Sequence, residues 1–371
     1  MSRFLLLTFL AGLLFLIACK KDDSMACNAT EEGGLLDIEY DPSPYNLVIG
    51  EGLPVSMPIP TDNPLTVEGV ELGRHLFYDP ILSVDSSMSC ATCHNSQSSF
   101  TDNLRFSPGV DGIFGKRSAM SLLDLGFNQN GFFWGGGVAT LEQQALMPIT
   151  DPIEMHNTWD NVIEKFQEHP SYPQMFRRAF GIETREDITK ELAAKAIAQF
   201  ERILISSGNS LYDRAIRGEY FFSDAELNGY QMFFDIGSGL PDAECGHCHN
   251  IPLFTTNEYT NNGLQEAATL EDFKDKGHGL ITGDPFDNGT FRIPTLRNIT
   301  KSAPYMHDGS LATLEEVIEH YNSGGKHSPN KDGLLLPLGL TEENKRDLLA
   351  FLKMLEDPDF NENPAYSSPF D

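Results

Sequence analysis

The sequence predicts a mainly α fold made of two copies of one module, with long loops wrapped around each copy. Three observations predict it. The string Cys-X-X-Cys-His occurs twice, as "CATCH" at 90–94 and "CGHCH" at 245–249. The flanks repeat as well: "LGRHLFYD" at 72–79 precedes the first string and "NGYQMFFD" at 228–235 precedes the second, an offset of about 156 residues. Downstream, "CHNSQSSFTDN" is echoed by "CHNIPLFTTN". Finally, helical periodicity recurs while no run of alternating strands does: Ile188, Leu192, Ala196, Phe200 and Leu204 fall at every fourth position.

In chain order, Arg3 precedes an apolar run from Phe4 to Ala18, too short for a confident membrane span and suited to a signal sequence. Leu16-Ile17-Ala18-Cys19 resembles the lipobox of bacterial lipoproteins, which implies a mature chain beginning at a lipidated Cys19. The alternative is a signal peptide with a chance cysteine, and either reading exports the protein. The expected organisation is a signal peptide at 1–18, a tether at 19–60, a first domain at 61–215, a second at 216–360 and a tail at 361–371. "ATLEEVIEHYNSGG" reads as a short helix, with Thr313 and Glu316 at capping-box spacing. "TEENKRDLLAFLKMLEDP" reads as a closing helix stopped at Pro358.

A chain of 371 residues suffices for two cores. Its net charge of −28 argues against nucleic acid or an anionic membrane surface as a partner, leaving a lipid anchor as the only membrane contact. Such a surface suits a small basic redox protein.

Six cysteines are present: Cys19, Cys27, Cys90, Cys93, Cys245 and Cys248. For the two strings, three chemistries compete. A four-cysteine zinc site would leave both trailing histidines unexplained. A thioredoxin-like pair requires a strand–helix setting that neither flank shows. Covalent haem uses every residue: each thiol adds to a vinyl group, and the histidine reaches the iron. Two haem c groups are therefore expected, one on Cys90, Cys93 and His94, the other on Cys245, Cys248 and His249, making each module a cytochrome c-like domain.

From about Leu65 to Asp357 the chain further resembles the bacterial dihaem cytochrome c peroxidase family, which includes MauG-type enzymes. The resemblance is carried by "ELGRHLFYDPILS", "SCATCHN", "LEQQALMPITDPIEM", "CGHCHN" and "FRIPTLRNITKSAPYMHDGS". It implies peroxide chemistry at the N-terminal haem and electron entry at the C-terminal one. By the same resemblance Glu154 in "PIEM" is the acid–base group, which takes a proton from one peroxide oxygen and returns it to the other. Gln144 is a distal-pocket amide and Trp134 in "GFFWGGG" an electron relay between the haems. The bland alternatives are a surface glutamate, a helix-surface amide and a buried aromatic plug. The family's Asp-Gly-Arg after the tryptophan is replaced by Gly135-Gly136-Gly137, so a cationic contact is missing from the motif.

A calcium ion between the haems is implied, with carbonyls of Ser302 and Pro304 as ligands and Ser118 where the family has asparagine. Arg292 and Arg297 are candidates to pair with haem propionates, solvated surface arginines being the alternative. Counting back seven residues from Arg117 puts Val110 where many peroxidases carry a mobile ligand histidine. Counting seven on from Leu314 puts Tyr321 at the usual methionine ligand position, with His320 or Met306 as the other options. His307 is expected near the second haem without binding its iron.

The leading function is reduction of hydrogen peroxide to water with electrons from a cytochrome c or a small copper protein. The alternatives are a MauG-like oxidase that modifies a protein residue and a dihaem electron-transfer protein without catalysis. A homodimer is allowed, and the leader places the protein in the cell envelope or periplasm, lipid-anchored at the outer membrane.

Overall fold

The computed structural model describes residues 34–370; the signal sequence, Cys19 and Cys27 lie outside the described residues. The fold is mainly helical. The first half contains α1 (Val67–Tyr78), the one-turn α2 (Cys90–Cys93), α3 (Leu141–Thr150), α4 (Trp159–Glu168), α5 (Tyr172–Phe180) and α6 (Lys190–Arg202). The second contains α7 (Leu211–Ile216), α8 (Asp224–Phe233), α9 (Gly279–Thr282), α10 (Leu314–Asn322), α11 (Glu342–Lys353) and α12 (Pro358–Asn361). One antiparallel ladder, β1 (Tyr259–Thr260) with β2 (Phe291–Arg292), is the only named sheet among the described residues. No helix of the described residues is long and apolar enough to cross a membrane.

Helix starts follow the capping chemistry of their sequences. Thr66, Thr140, Thr189 and Thr313 each accept a backbone N–H of the first turn, and Ser223 forms a full capping box with Glu226. At α10 the expected box is only half made, because the Glu316 carboxylate takes the Ala312 N–H instead of that of Thr313. The closing helix ends at Lys353, before Pro358, which instead opens α12 at a position where a missing N–H costs nothing.

The duplication is visible as one helix crossing built twice. α1 packs across α6, and α8 packs across α11. Each crossing turns on a glycine from the repeated motif. A Cβ on Gly73 would lie 1.9 Å from the Ala196 carbonyl oxygen, and one on Gly229 would lie 2.0 Å from that of Asp347. Neither site admits a methyl group unless the helices separate. Beside each crossing an equivalent ring pair forms, Phe77 with Phe200 and Phe233 with Phe351, both at 5.1 Å between centroids. The first half carries two apolar clusters, around Phe166 and around Phe200, and the second half carries one around Phe351.

Segments outside the two crossings tie the halves together. Leu53 and Met57, in the stretch expected as a tether, are buried with Phe127, Ile205 and Leu253. Tyr212 packs in the second-half core, while Phe360 and Tyr366 near the C-terminus return to the Phe200 cluster. The tail is held there by Arg74, whose guanidinium donates to the carbonyls of Ser367 and Pro364. These segments carry no helical or strand period, so the sequence gives no sign that they are buried.

Overpacking a tight crossing typically costs about 1–3 kcal/mol. Gly73→Ala should therefore lower the thermal unfolding midpoint clearly, and Gly229→Ala should do the same through the other half. Unchanged melting curves for both would contradict the crossing described here.

Candidate functional site

One helical turn sets Cys90 and Cys93 on one side of α2, and Ser89 and Thr92 close a capping box at its start. The chain then leaves the helix at His94 and doubles back through Ser99 and Phe100, both left-handed at φ 56 and 60. That reversal brings the Phe100 carbonyl to 2.9 Å from His94 Nδ1. The second string repeats the device on a 3₁₀ turn, with His249 Nδ1 3.0 Å from the carbonyl of Phe254, a left-handed residue at φ 54. A carbonyl only accepts, so each ring is protonated at Nδ1 and presents the Nε2 lone pair to a metal. Burial keeps both rings neutral: the pKa of His94 is lowered and that of His249 falls to about 4.

The thiols bear on the choice between the three chemistries. Burial raises all four, Cys93 and Cys248 to about 11, Cys245 to about 12 and Cys90 further still. A redox pair needs the opposite shift. The four sulfurs belong to no metal-ligand cluster among the described residues, which removes the four-cysteine zinc site, and none is in a disulfide.

Beside the second string lies a cavity with about 1490 Å³ of empty space, its open mouth included, lined mainly by apolar side chains together with Cys245, Cys248 and His249. Arg292 reaches into it from β2, buried, with Nη1 2.8 Å from Asn257 Oδ1 and Nε without any partner. No carboxylate among the described residues pairs with it, and burial lowers its pKa to about 10. A desolvated cation with an orphaned N–H is costly unless an anion completes it. An apolar slot, two thiols, an imidazole and an unpaired guanidinium together fit haem, whose propionates supply that anion.

Arg297 has a different job. Its guanidinium forms a buried bidentate pair with Asp213, at 2.9 Å on both arms, and donates to the Pro252 carbonyl. The expected propionate contact is therefore left to Arg292 alone, because the fork of Arg297 is already filled.

Tyr321, on α10, lines the same cavity, as does Met306. Asn262 Nδ2 stands 3.2 Å from Met306 Sδ and 3.5 Å from Tyr321 Oη. His320 is turned away, its Nε2 bonded to the Asn262 carbonyl at 2.8 Å. Burial raises the Tyr321 phenol to about 12. His307 is stacked on Phe291 at 3.5 Å.

Trp134 lies between the two strings. Its Nε1 donates to the Ser118 carbonyl at 2.9 Å, and its ring lines both the large cavity and a smaller one walled by Met120 and Arg292. The Met120 backbone in turn faces the His94 ring. The glycine run after Trp134 is filled from outside: a Cβ on Gly136 would meet Tyr259 Oη at 2.1 Å, and Tyr259 stacks on His278 at 3.7 Å. A Cβ on Gly135 would meet Arg117 Nη1 at 3.4 Å. Arg117, paired with Asp275 at 2.7 Å, is therefore a cation close to this glycine run. Neither Arg117 nor the Tyr259–His278 stack announces itself in the sequence, since each arrives from a distant loop.

Glu154 follows α3 in a turn, near enough to the first string for its charge to act on Cys90 and Cys93. Glu154 is exposed, yet the surrounding protein desolvates the carboxyl enough to raise it to about 7, with Asp151 adding a smaller push. Gln144 stands half-buried on α3.

Ser118 is buried and occupied, its N–H donating to the His307 carbonyl at 2.9 Å and its hydroxyl to that of Met306 at 3.0 Å. Ser302 and Pro304 flank a turn pinned by Asn103 Nδ2, which donates to the carbonyls of Lys301 and Ala303, both at 2.8 Å. This oxygen set suits calcium in donor type and contains no carboxylate.

Residues 67–220 match the family described as di-haem cytochrome c peroxidase. Methylamine utilization protein MauG of Methylorubrum extorquens is 36% identical over 306 residues, 82% of each chain. Cytochrome c551 peroxidase of Nitrosomonas europaea is 33% identical over 306 residues, 82% of this chain and 85% of that one. The crystal structure of a MauG-like protein associated with microbial copper homeostasis superposes with a TM-score of 0.78 at 35% identity, over 88% of this chain and 100% of that chain. The diheme peroxidase BthA of Burkholderia thailandensis, at 22% identity and a TM-score of 0.69 over 89% of this chain and 98% of its own, shares the fold.

Proposed function

This chain belongs to the di-haem cytochrome c peroxidase family, carries two haems and acts on peroxide as an oxidoreductase, and from that premise we propose how its residues divide the work. The haems are attached covalently, through Cys90 and Cys93 in a domain at 61–215 and through Cys245 and Cys248 in a domain at 216–360. When bound, the two irons supply the peroxide-binding position and the electron storage. Everything else falls to the chain. His94 and His249 hold the metals in a fixed orientation through their Nδ1–carbonyl bonds. Glu154 takes a proton from one peroxide oxygen and delivers it to the other, so that water leaves instead of hydroxide. Gln144 donates a hydrogen bond to the bound peroxide, and Trp134 relays electrons between the two sites. Arg292 pairs with propionate, and Ser118, Ser302 and Pro304 hold calcium.

The observation that carries the reading is the placement of Glu154 beside the first string, near enough to act on Cys90 and Cys93 and fixed through its backbone to Asp151 and Val110. A pure electron-transfer protein has no use for a titratable group with its pKa near 7 at that point. Electrons come from a small basic cytochrome c or copper protein in the periplasm, drawn by the net charge of −28, with the chain anchored through Cys19 to the outer membrane. A MauG-like oxidase acting on a protein residue is the second reading, favoured by Tyr321 in the wall of the second cavity.

Denatured protein should retain two haems in a pyridine haemochrome assay, and Cys245→Ala should lower that number. One haem in the denatured parent would remove covalent attachment at one string, and none would remove it at both.

Glu154→Gln should lose peroxide turnover by roughly 10²-fold while both haems stay bound. The base form of Glu154 exists above its pKa of about 7, so turnover in the parent should rise as pH passes upward through that value. Near-parental turnover in the variant rules Glu154 out of the proton transfer.

With Val110 at the loop-histidine position and no histidine between His94 and His156, nothing in the first half closes the peroxide site in the oxidised state. His249 and Tyr321 would hold the second iron, and a phenolate oxygen there would favour the ferric state. Stopped-flow mixing of the diferric protein with peroxide should shift the Soret band within seconds. A static Soret band, or a sulfur-to-iron charge-transfer band in the ferric spectrum, contradicts this assignment.

A further inference from the structure

The Glu154 carboxyl sits on a turn, and a turn alone does not hold a proton-transfer group to the tolerance that catalysis needs. Its own segment fixes one side: Glu154 N–H donates to the Asp151 carbonyl at 3.1 Å and His156 N–H to the same oxygen at 3.0 Å. The other side is fixed by a hairpin from Ser107 to Gly115. This hairpin is closed by Gly109 N–H to the Ile113 carbonyl at 2.9 Å and Gly115 N–H to that of Ser107 at 3.0 Å, and it turns on left-handed Gly112.

Three consecutive hairpin residues meet the Glu154 segment in register. A Cβ on Gly109 would lie 1.6 Å from the Ile153 carbonyl oxygen and 2.9 Å from that of Glu154, so only glycine permits the approach. Val110 N–H donates to the Glu154 carbonyl at 2.9 Å. Asp111 Oδ2 accepts from His156 Nδ1 at 2.6 Å, with His156 in the left-handed region at φ 47. Both backbone polar groups of Glu154 are therefore held, one by its own turn and one by the hairpin. At its base the hairpin is tied to the first string, since Ser107 Oγ donates to Asp102 Oδ2 at 2.6 Å and lies against the Cys93 thiol.

We propose that the Ser107–Gly115 hairpin is a strut that sets the position of the Glu154 carboxyl relative to the first haem string, with Gly109, Asp111 and His156 as its positioning residues. The proposal rests on the acid–base reading of Glu154 and deepens it. The Asp111–His156 contact is half-exposed on both sides and adds little stability, so its consequence is register. The charged groups around the carboxyl are Asp151 on its own turn, Asp111 and His156 at the clasp, and Asp102 at the hairpin base.

The test uses the holoprotein, with haem content checked for each variant. Gly109→Ala should reduce kcat/KM for peroxide by roughly 10²-fold. Asp111→Ala should reduce it by about 10-fold and move the acidic limb of the pH profile down from about 7, because a carboxyl freed from its place regains water. Asp111→Asn, which still accepts from His156, should restore both. Independently of turnover, hydrogen exchange across residues 107–115 should be slow in the parent and faster in Asp111→Ala. If Gly109→Ala fails to take up haem, Asp111→Ala and its rescue decide the matter. Parental rate, limb and exchange in Asp111→Ala, alongside a disabled Glu154→Gln, overturn the strut and leave the Glu154 reading intact. Full turnover in Glu154→Gln overturns that reading, and the functional role of the strut falls with it, whatever the exchange data show.

Discussion

The hydrogen bond from each string histidine to a carbonyl a few residues on is the interaction that joins the core to the chemistry. His94 leans on Phe100 and His249 on Phe254, and both phenylalanines are fully buried. Phe100 packs edge-on against Phe77, at 5.9 Å, and Phe254 packs in the same way against Phe233, at 6.1 Å. Those partners stand on α1 and α8, the helices whose glycines allow the close crossings. A chain of contacts therefore runs from the Gly73 and Gly229 crossings, through a wall of rings, to the protonated nitrogen of each imidazole. Moving a helix by an ångström moves a carbonyl, and with it the direction of Nε2. This is a physical reason for the motif around each string to be duplicated with the string.

The two arginines of "FRIPTLRN" show how a single motif distributes charge. Arg297 is fully paired: Asp213 matches its fork on both arms, and burial of the pair costs little beyond the desolvation that the bidentate contact offsets. Arg292 has only an amide oxygen and a distant thioether, and is left with an unused N–H. One guanidinium locks the second half together while the other waits for an anion. The sequence could not separate these fates, because Asp213 stands 84 residues from Arg297.

What the sequence made legible was periodic or local. The strings, the helix caps and the repeated motif are set by spacings of two to four residues, and the structure keeps nearly all of them. What it hid was set by distant approach. Arg117 comes close to the glycine run after Trp134, Tyr259 and His278 fill the space its glycines vacate, and Leu53 and Met57 are buried from a stretch with no period at all. The sequence favours Tyr321 as the ligand, with His320 or Met306 as the alternatives. One hydrogen bond to the Asn262 carbonyl withdraws His320, and Asn262 brings the other two side by side.

The two halves share a scaffold and differ in what faces the metal position, and in the proposed division of labour that asymmetry is the function. In the second half Tyr321, from α10, and Met306, from the loop before it, both line the cavity that His249 lines. In the first half the corresponding ground holds a carboxyl near the string and a hairpin whose Val110 has no lone pair to offer. A site that keeps a ligand on both faces can only pass electrons. A site with one imidazole, a free face and a group that titrates near neutrality can bind peroxide and move its protons. Trp134 borders the large cavity and, through Met120, the ground behind His94, so one indole serves both sites. In that proposed division, duplication supplied two metal-holding modules, and substitutions at a few facing positions made one of them reactive.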